Sequence, residues 1–440
     1  MSAPLPDLHD RKPHQTVRQT PVVEARGVGT RVGRFFRNLG PGLITGAADD
    51  DPSGIATYSQ AGAAFGYGLL WTALLTLPLM AAVQQMCARI GIVTHTGLAC
   101  VLRRHYSAWV LWFACLLLLI GNTINIAADL GGMAAAGTLL TGIPSAWFVP
   151  VFTLLILVLL IYASYEVMTR IFKWMTLVLF AYVFAAVLAH PGWWHVLRGT
   201  LWPDLKLTKN AMLTLVALLG TTISPYLFFW QAAQNAEQED HRERGRHRRP
   251  IQREIRSAEQ DVNMGMFISN MIMYFIILTA GATLHRAGIT DVQTAGQAAV
   301  ALRPIAGPLA SWLFSFGIIG TGMLGVPVLA GSAAYAVAEA AAWKRGMDET
   351  VHTASHFYGV IGVAMLVGMG LAFGKANAIK LLFLSAVANG LLAPPLIVII
   401  LVVCNNQKIM HKYKNGRTLN ILGIAAAVIM TVAAVGMFVF

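Results

Sequence analysis

Three consecutive carboxylates, Asp49, Asp50 and Asp51, followed by Pro52, Ser53 and Gly54, interrupt an apolar stretch that begins near Leu39 and ends near Phe65. Acidic side chains at membrane depth are expensive to bury, so they call for a cation, a water-filled cavity or both. The Pro and Gly break the helix at the same point. A broken helix exposes backbone carbonyls and half-helix ends, which in transporters hold ions near the bilayer midplane. The chemistry expected of this segment is ion coordination.

The rest of the chain must form the membrane frame around that break. Its 440 residues are 56% hydrophobic and 12% charged, a composition that excludes a soluble globule and fits an all-α polytopic membrane protein. About eleven spans are predicted, at roughly 39–66, 68–92, 108–136, 146–164, 167–190, 210–235, 262–286, 307–341, 355–373, 378–404 and 419–440. Arg26 to Arg37, Arg103 with Arg104, Arg170 with Lys173, His241 to Arg256, Lys344 with Arg345, and Lys408 to Arg417 then fall on one side. The positive-inside rule makes that side cytoplasmic. The N-terminus is therefore expected inside and the C-terminus outside, in a plasma (inner) membrane, with residues 1–38 a polar, disordered tail and no signal peptide. This bias also accounts for the net charge of +12, so the basic segment 237–261 reads as a connector and no nucleic-acid partner is expected. Cys87, Cys100, Cys115 and Cys404 lack metal-ligand spacing and read as small hydrophobes.

A second break lies five spans after the first. Gly220-Thr221-Thr222-Ile223-Ser224-Pro225-Tyr226 places small residues, hydroxyls and a central Pro inside the apolar run Leu215 to Trp230. A broken helix opening each of two five-span halves is the pattern of inverted-repeat transporters, with substrate held between the breaks. The halves are read as 39–190 and 210–404, joined by an extracellular loop at 191–209 and followed by a loop and a last helix at 405–440. Two ordinary Pro kinks would leave three buried Asp residues without a partner.

These residues resemble those of the natural-resistance-associated macrophage protein (Nramp) family of divalent-metal transporters. Gly40-Pro41-Gly42 and Asp51-Pro52-Ser53-Gly54 are similar to its Gly-Pro-Gly entry and Asp-Pro-Gly-Asn signature. Ser224-Pro225-Tyr226 stands where the family has Met-Pro-His, Ile126-Ala127-Ala128-Asp129-Leu130 resembles its third-helix Ile-Ala-Thr-Asp-Leu, and Tyr165-Glu166 with the Lys173 region resembles the start of its fifth helix. The resemblance spans about Asn38 to Asn405. It implies a LeuT-type 5+5 inverted repeat with helices 1 and 6 interrupted, no enzymatic activity, no cofactor, and a divalent metal ion and the bilayer as partners.

It also implies a site that has changed. Asp51 keeps the signature carboxylate, while Gly54 replaces the Asn and Ser224 replaces the Met, with Ser53 between Asp51 and Gly54 and carbonyls near Ala48 and Thr221 matching the family's backbone donors. A thioether favours transition metals, whereas carboxylate, hydroxyl, carbonyl and water suit hard cations. The smaller residues are expected to widen the cavity, with Asp49 and Asp50 in a vestibule or capping a half-helix. Mg²⁺ sheds its waters reluctantly and is held by one or two carboxylates, so a partly hydrated Mg²⁺ is the expected substrate, with Mn²⁺ second, as in the Nramp-related magnesium transporters that this chain resembles.

The family's proton route uses a His after the sixth-helix Pro and a Glu three residues beyond the third-helix Asp; here these are Tyr226 and Gly132. Asp129 is left, either titrating or hydrogen-bonded to a neighbour. Coupling is not required, because a divalent ion gains roughly 4.6 kcal/mol per 100 mV on moving inward. Asn389 is expected to line the cavity or bond between helices, with Ser385 beside it. Asn122 and Asn125 read as interhelical glue, Gln231 and Gln234 as lining the inner path or, more simply, as a cytoplasmic helix end, and the run Gly317 to Gly331 as close packing. A proton-coupled Mn²⁺/Fe²⁺ symporter and an amino-acid transporter of the same fold are the alternatives. The second would need half-helix N-termini facing a substrate carboxylate, which three Asp residues would repel. A hydrolytic enzyme is disfavoured by the lack of a nucleophile–base pair or His cluster.

Overall fold

The computed structural model describes residues 41–162, 177–203, 208–244, 250–347, 349–374 and 377–439. The predicted tail 1–38, Gly40, and the Tyr165-Glu166 and Lys173 motif lie outside these. The described residues are overwhelmingly helical. In chain order the main helices are α1 (Pro41–Asp49), α2 (Pro52–Phe65), α3 (Trp71–Thr94), α4 (Leu98–His105), α5 (Ala108–Thr141), α6 (Ser145–Tyr162), α7 (Ala181–Leu188) and α8 (Trp193–Leu201). They continue as α9 (Lys209–Thr222), α10 (Pro225–Arg244), α11 (Ile251–Ala280), α12 (Ala310–Ala340), α13 (Ser355–Ala372), α14 (Ala378–Asn405) and α15 (Arg417–Val439).

Nine helical segments among the described residues are long and apolar enough to cross a membrane. Two of the eleven predicted spans are missing from that count for identifiable reasons. The first span is split into α1 and α2, each too short alone, and the fifth is described only from Leu177 onward. Helices α6, α13 and α15 expose Leu154, Val158, Val363, Leu366, Val428 and Val432, apolar surface on the scale that belongs against lipid.

The segment 237–261 departs from the expectation of a simple connector. Helix α10 continues to Arg244 and α11 already begins at Ile251, leaving only 245–249 outside the described residues. Its Glu, Gln and Arg are strong helix formers, and Pro250 stands at the N-terminal boundary of α11, where its fixed φ suits a helix start. The ends near the basic segments are tied together. Arg89 pairs with Glu259 and donates to the Lys414 carbonyl at 3.2 Å, and Glu339 accepts from the Gly97 and Cys100 amides while pairing with Arg345 at 3.0 Å. Glu339 thereby satisfies open amides at the start of α4.

Two contacts position the first break. Gly42 and Gly46 of α1 press on the α11 backbone, where a Cβ on Gly42 would fall 2.5 Å from the Val262 nitrogen and one on Gly46 would strike Gly265. Such close approach is what small residues four apart allow between membrane helices. Asp261 then accepts from the Gly42 amide at 2.7 Å, so α1 and α11 form one packed unit. Gly46→Val is expected to destabilise the fold by about 1–3 kcal/mol through overpacking, read as a lower thermal midpoint in detergent. An unchanged midpoint would contradict this packing.

The four cysteines are buried and unpaired.

Candidate metal centre

Asp51 is the N-cap of α2. Its Oδ1 accepts from the Gly54 amide at 2.8 Å and from the Ser53 hydroxyl at 2.6 Å, with Pro52 in the first helical position. This is ordinary capping chemistry, and it holds one carboxylate oxygen while leaving Oδ2 turned toward α10. Opposite, α9 stops at Thr222, Ile223 departs from helical geometry, and Pro225 opens α10. The Ser224 hydroxyl folds back onto the Thr221 carbonyl at 2.6 Å.

The breaks meet through Tyr226. Its hydroxyl contacts the Ala48 carbonyl at 2.9 Å and Asp51 Oδ2 at 3.3 Å, so these two oxygens face a single point. That hydroxyl can donate to only one of them at a time. The Ala48 and Thr221 carbonyls, the two expected backbone donors, are thus each engaged by a hydroxyl in this conformation. Both lie at the C-terminal ends of half-helices, where the backbone dipole is negative and favours a cation. The segments 46–54 and 220–226 contain no Met, His or Cys, so the donors they offer are all oxygen.

The expected widening is not what this conformation has. A Cβ on Gly54 would meet the Tyr58 ring at 3.3–3.4 Å, and Tyr58 and Tyr226 are 0% and 1% exposed. The Tyr58 ring takes up room beside Gly54. Asp49 and Asp50 are each 1% exposed, buried rather than lining an open vestibule. The Ser269 hydroxyl from α11 lies 2.8 Å from Asp49 Oδ2 and 3.3 Å from Asp50 Oδ1.

Asp129 on α5 lies within electrostatic reach of Asp51 and close to the Ser53 amide. It is fully buried, and neither of its oxygens has a well-formed hydrogen-bond partner among the described residues. Gly325 of α12 closes the opposite side, since a Cβ there would lie 3.1 Å from Asp51 Cβ. A Cβ on Gly132 would sit 2.8 Å from a Leu382 methyl, so a longer side chain at that position would have to displace Leu382.

The other polar residues divide. Asn122 donates to the Leu329 carbonyl at 2.8 Å, bridging α5 and α12, whereas neither amide atom of Asn125 has a partner among the described residues. Asn389 is 2% exposed, its Nδ2 likewise without a partner among them, and Ser385 bonds back to Leu382 at 2.7 Å. Gln231 is not at a helix end: it accepts from Thr45 at 2.6 Å and donates to Asn235, linking α1 to α10. Sequence reasoning passed over Tyr58 and Ser269. Their only signal was spacing, Tyr58 four residues after Gly54 and Ser269 four after Gly265. Among the described residues no three His, Cys, Asp or Glu side chains converge as a metal-binding group.

A family model described as natural resistance-associated macrophage protein-like matches residues 42–440. The chain belongs to the Nramp family. The match extends past Asn405 through the last helix, further than the sequence motifs alone reached. Among curated Nramp relatives, the divalent metal cation transporter MntH of Deinococcus radiodurans is 29% identical over 332 residues, covering 73% of this chain and 74% of that protein. The MntH of Caldanaerobacter subterraneus subsp. tengcongensis is 24% identical over 409 residues, covering 91% and 92%. Among solved structures, the Eremococcus coleocola manganese transporter superposes with a TM-score of 0.74 at 18% identity, covering 94% of this chain and 87% of that one. MhsT in complex with L-phenylalanine superposes at 0.57 with 12% identity, covering 90% and 98%. The Nramp fold, with the interrupted first and sixth helices of the LeuT type, is therefore the architecture of this chain.

Proposed function

We propose that the chain is a divalent-metal importer working by alternating access, that it favours a partly hydrated Mg²⁺ and also takes Mn²⁺, and that no proton moves with the ion. The carrying observation is that a single hydroxyl, that of Tyr226, contacts both Asp51 Oδ2 and the Ala48 carbonyl. A small cation replacing it there would meet one carboxylate and one carbonyl at once. Ser224 and Thr221 supply further oxygens from the second break, and Ser53 and Gly54 orient Asp51 from behind. Oxygen-only donors suit Mg²⁺ and Mn²⁺ and give no preference for soft metals. Transport of a divalent metal is also what the MntH relatives are named for.

Tyr226 and Gly132 support uncoupled movement, because neither takes up and releases a proton near neutral pH. We further assign residues 39–190 and 210–404 as the two inverted repeats, a cytoplasmic N-terminus, an extracytoplasmic C-terminus, and a plasma-membrane location. The clustering of Arg89, Arg103, Arg345 and Lys414 near one end of the bundle supports the orientation. A manganese transporter is the second reading, since the structurally similar Eremococcus coleocola protein is a manganese transporter.

The test is reconstitution in liposomes with Mg²⁺, Mn²⁺ and Ca²⁺ uptake and internal pH followed together. Mg²⁺ uptake without internal acidification is expected. Uptake of Mn²⁺ undiminished by a large excess of Mg²⁺ would overturn the selectivity, and metal-driven acidification would overturn the uniport.

A further inference from the structure

Four carboxylates, Asp49, Asp50, Asp51 and Asp129, are buried at 0–2% exposure around the first break. None of them is paired with a Lys, Arg or His among the described residues. One divalent ion held at Asp51 leaves the remaining carboxylates in surplus, and acidic side chains at membrane depth call for a cation or water.

The surplus falls on Asp49 and Asp50. The Ser269 hydroxyl touches one oxygen of each, at 2.8 and 3.3 Å, so the two carboxylates converge on one point just as Ala48 and Asp51 converge on the Tyr226 hydroxyl. A single hydrogen cannot satisfy both. Asp49 Oδ1 has no donor among the described residues. Ser224 is the other hydroxyl beside Asp49, but with its hydrogen directed to the Thr221 carbonyl it offers Asp49 a lone pair. Tyr58, fully buried and facing Asp49 and Asp50, likewise has an unpartnered hydroxyl oxygen, and its neighbour Thr221 is bonded back to Leu218. Oxygen lone pairs therefore outnumber hydrogens around this point.

We propose that Asp49, Asp50 and Ser269, with the Tyr58 hydroxyl, form a second site for a hard divalent cation, separate from the Asp51 site. Two carboxylates with hydroxyls are the donor set that a Mg²⁺ retaining several waters takes. The inference rests on the assignment of the transported ion to Asp51.

The experiment counts Mn²⁺ bound by the purified full-length protein in lipid nanodiscs, by equilibrium dialysis and by the electron paramagnetic resonance signal of the bound ion. Two Mn²⁺ per chain are expected, with magnetic broadening between them. Asp49→Asn combined with Asp50→Asn should bind one, without broadening, and so should Asp51→Ala. Ser269→Ala removes no charge and keeps the backbone, and it should weaken one of the two affinities about tenfold, the equivalent of one lost ion–oxygen contact worth about 1.4 kcal/mol. Two ions retained in the double Asn variant would overturn the inference. So would a wild-type count of one, and the variants then separate the two readings. Loss of that ion in Asp51→Ala alone leaves the transport reading standing, whereas loss in the double Asn variant alone overturns both.

Discussion

Asp51→Ala is expected to reduce divalent-metal flux at least about 100-fold, the equivalent of about 2.8 kcal/mol at 1.4 kcal/mol per tenfold. The substitution removes the carboxylate oxygen that faces Tyr226 together with the charge that makes the site attractive to a cation. It also removes the α2 N-cap, a loss of about 1 kcal/mol, so the protein should remain folded with a slightly lower thermal midpoint. Asp51→Asn separates the two effects. An amide oxygen still accepts from the Gly54 amide, preserving the cap, while the charge is gone; flux should fall nearly as far as in the Ala variant with little change in midpoint. Flux in proteoliposomes checks both variants, and normal transport by either one would place the ion elsewhere.

Ser224→Met is expected to shift preference from Mg²⁺ toward Mn²⁺ and Cd²⁺ by about tenfold or more, since it returns a soft thioether to an oxygen-only site. The gain should come with weaker Mg²⁺ binding. Ser224 stands at the turn between α9 and α10, and its hydroxyl now occupies the Thr221 carbonyl; a Met there frees that carbonyl for the metal. Competition of Cd²⁺ and Mg²⁺ for Mn²⁺ uptake measures the shift. Unchanged competition would mean that position 224 does not face the ion.

Much of this protein was legible in the sequence because membranes restrict what a chain can do. Broken helices need Pro, Gly and small polar residues, and only helices satisfy the backbone across lipid, so the breaks at Asp49–Gly54 and Gly220–Tyr226 and the helices between them could be read directly. What Tyr58 and Ser269 do could not. Each is an ordinary residue in an apolar helix, and its role depends on which turn of a neighbouring helix it meets. The same limit explains the expected wider cavity. Replacing Asn by Gly54 and Met by Ser224 removes volume, but a Gly also admits a neighbour, and the Tyr58 ring takes that space. Nor does the sequence around Gln231 reveal that Thr45 of α1 crosses it. The extension of α10 and α11 through the basic segment was visible in helix-forming residues, yet their charge directed attention to topology instead.

The central claim is that the metal ion alone crosses, carrying two charges. It is tested most directly by the equilibrium Mg²⁺ accumulation ratio in proteoliposomes held at a set membrane potential, with and without an imposed pH gradient. The ratio is expected to grow by about three powers of ten per 100 mV, as two charges at about 2.3 kcal/mol each require, and to stay unchanged by the pH gradient. A ratio that moves about tenfold with each unit of the pH gradient would contradict the claim.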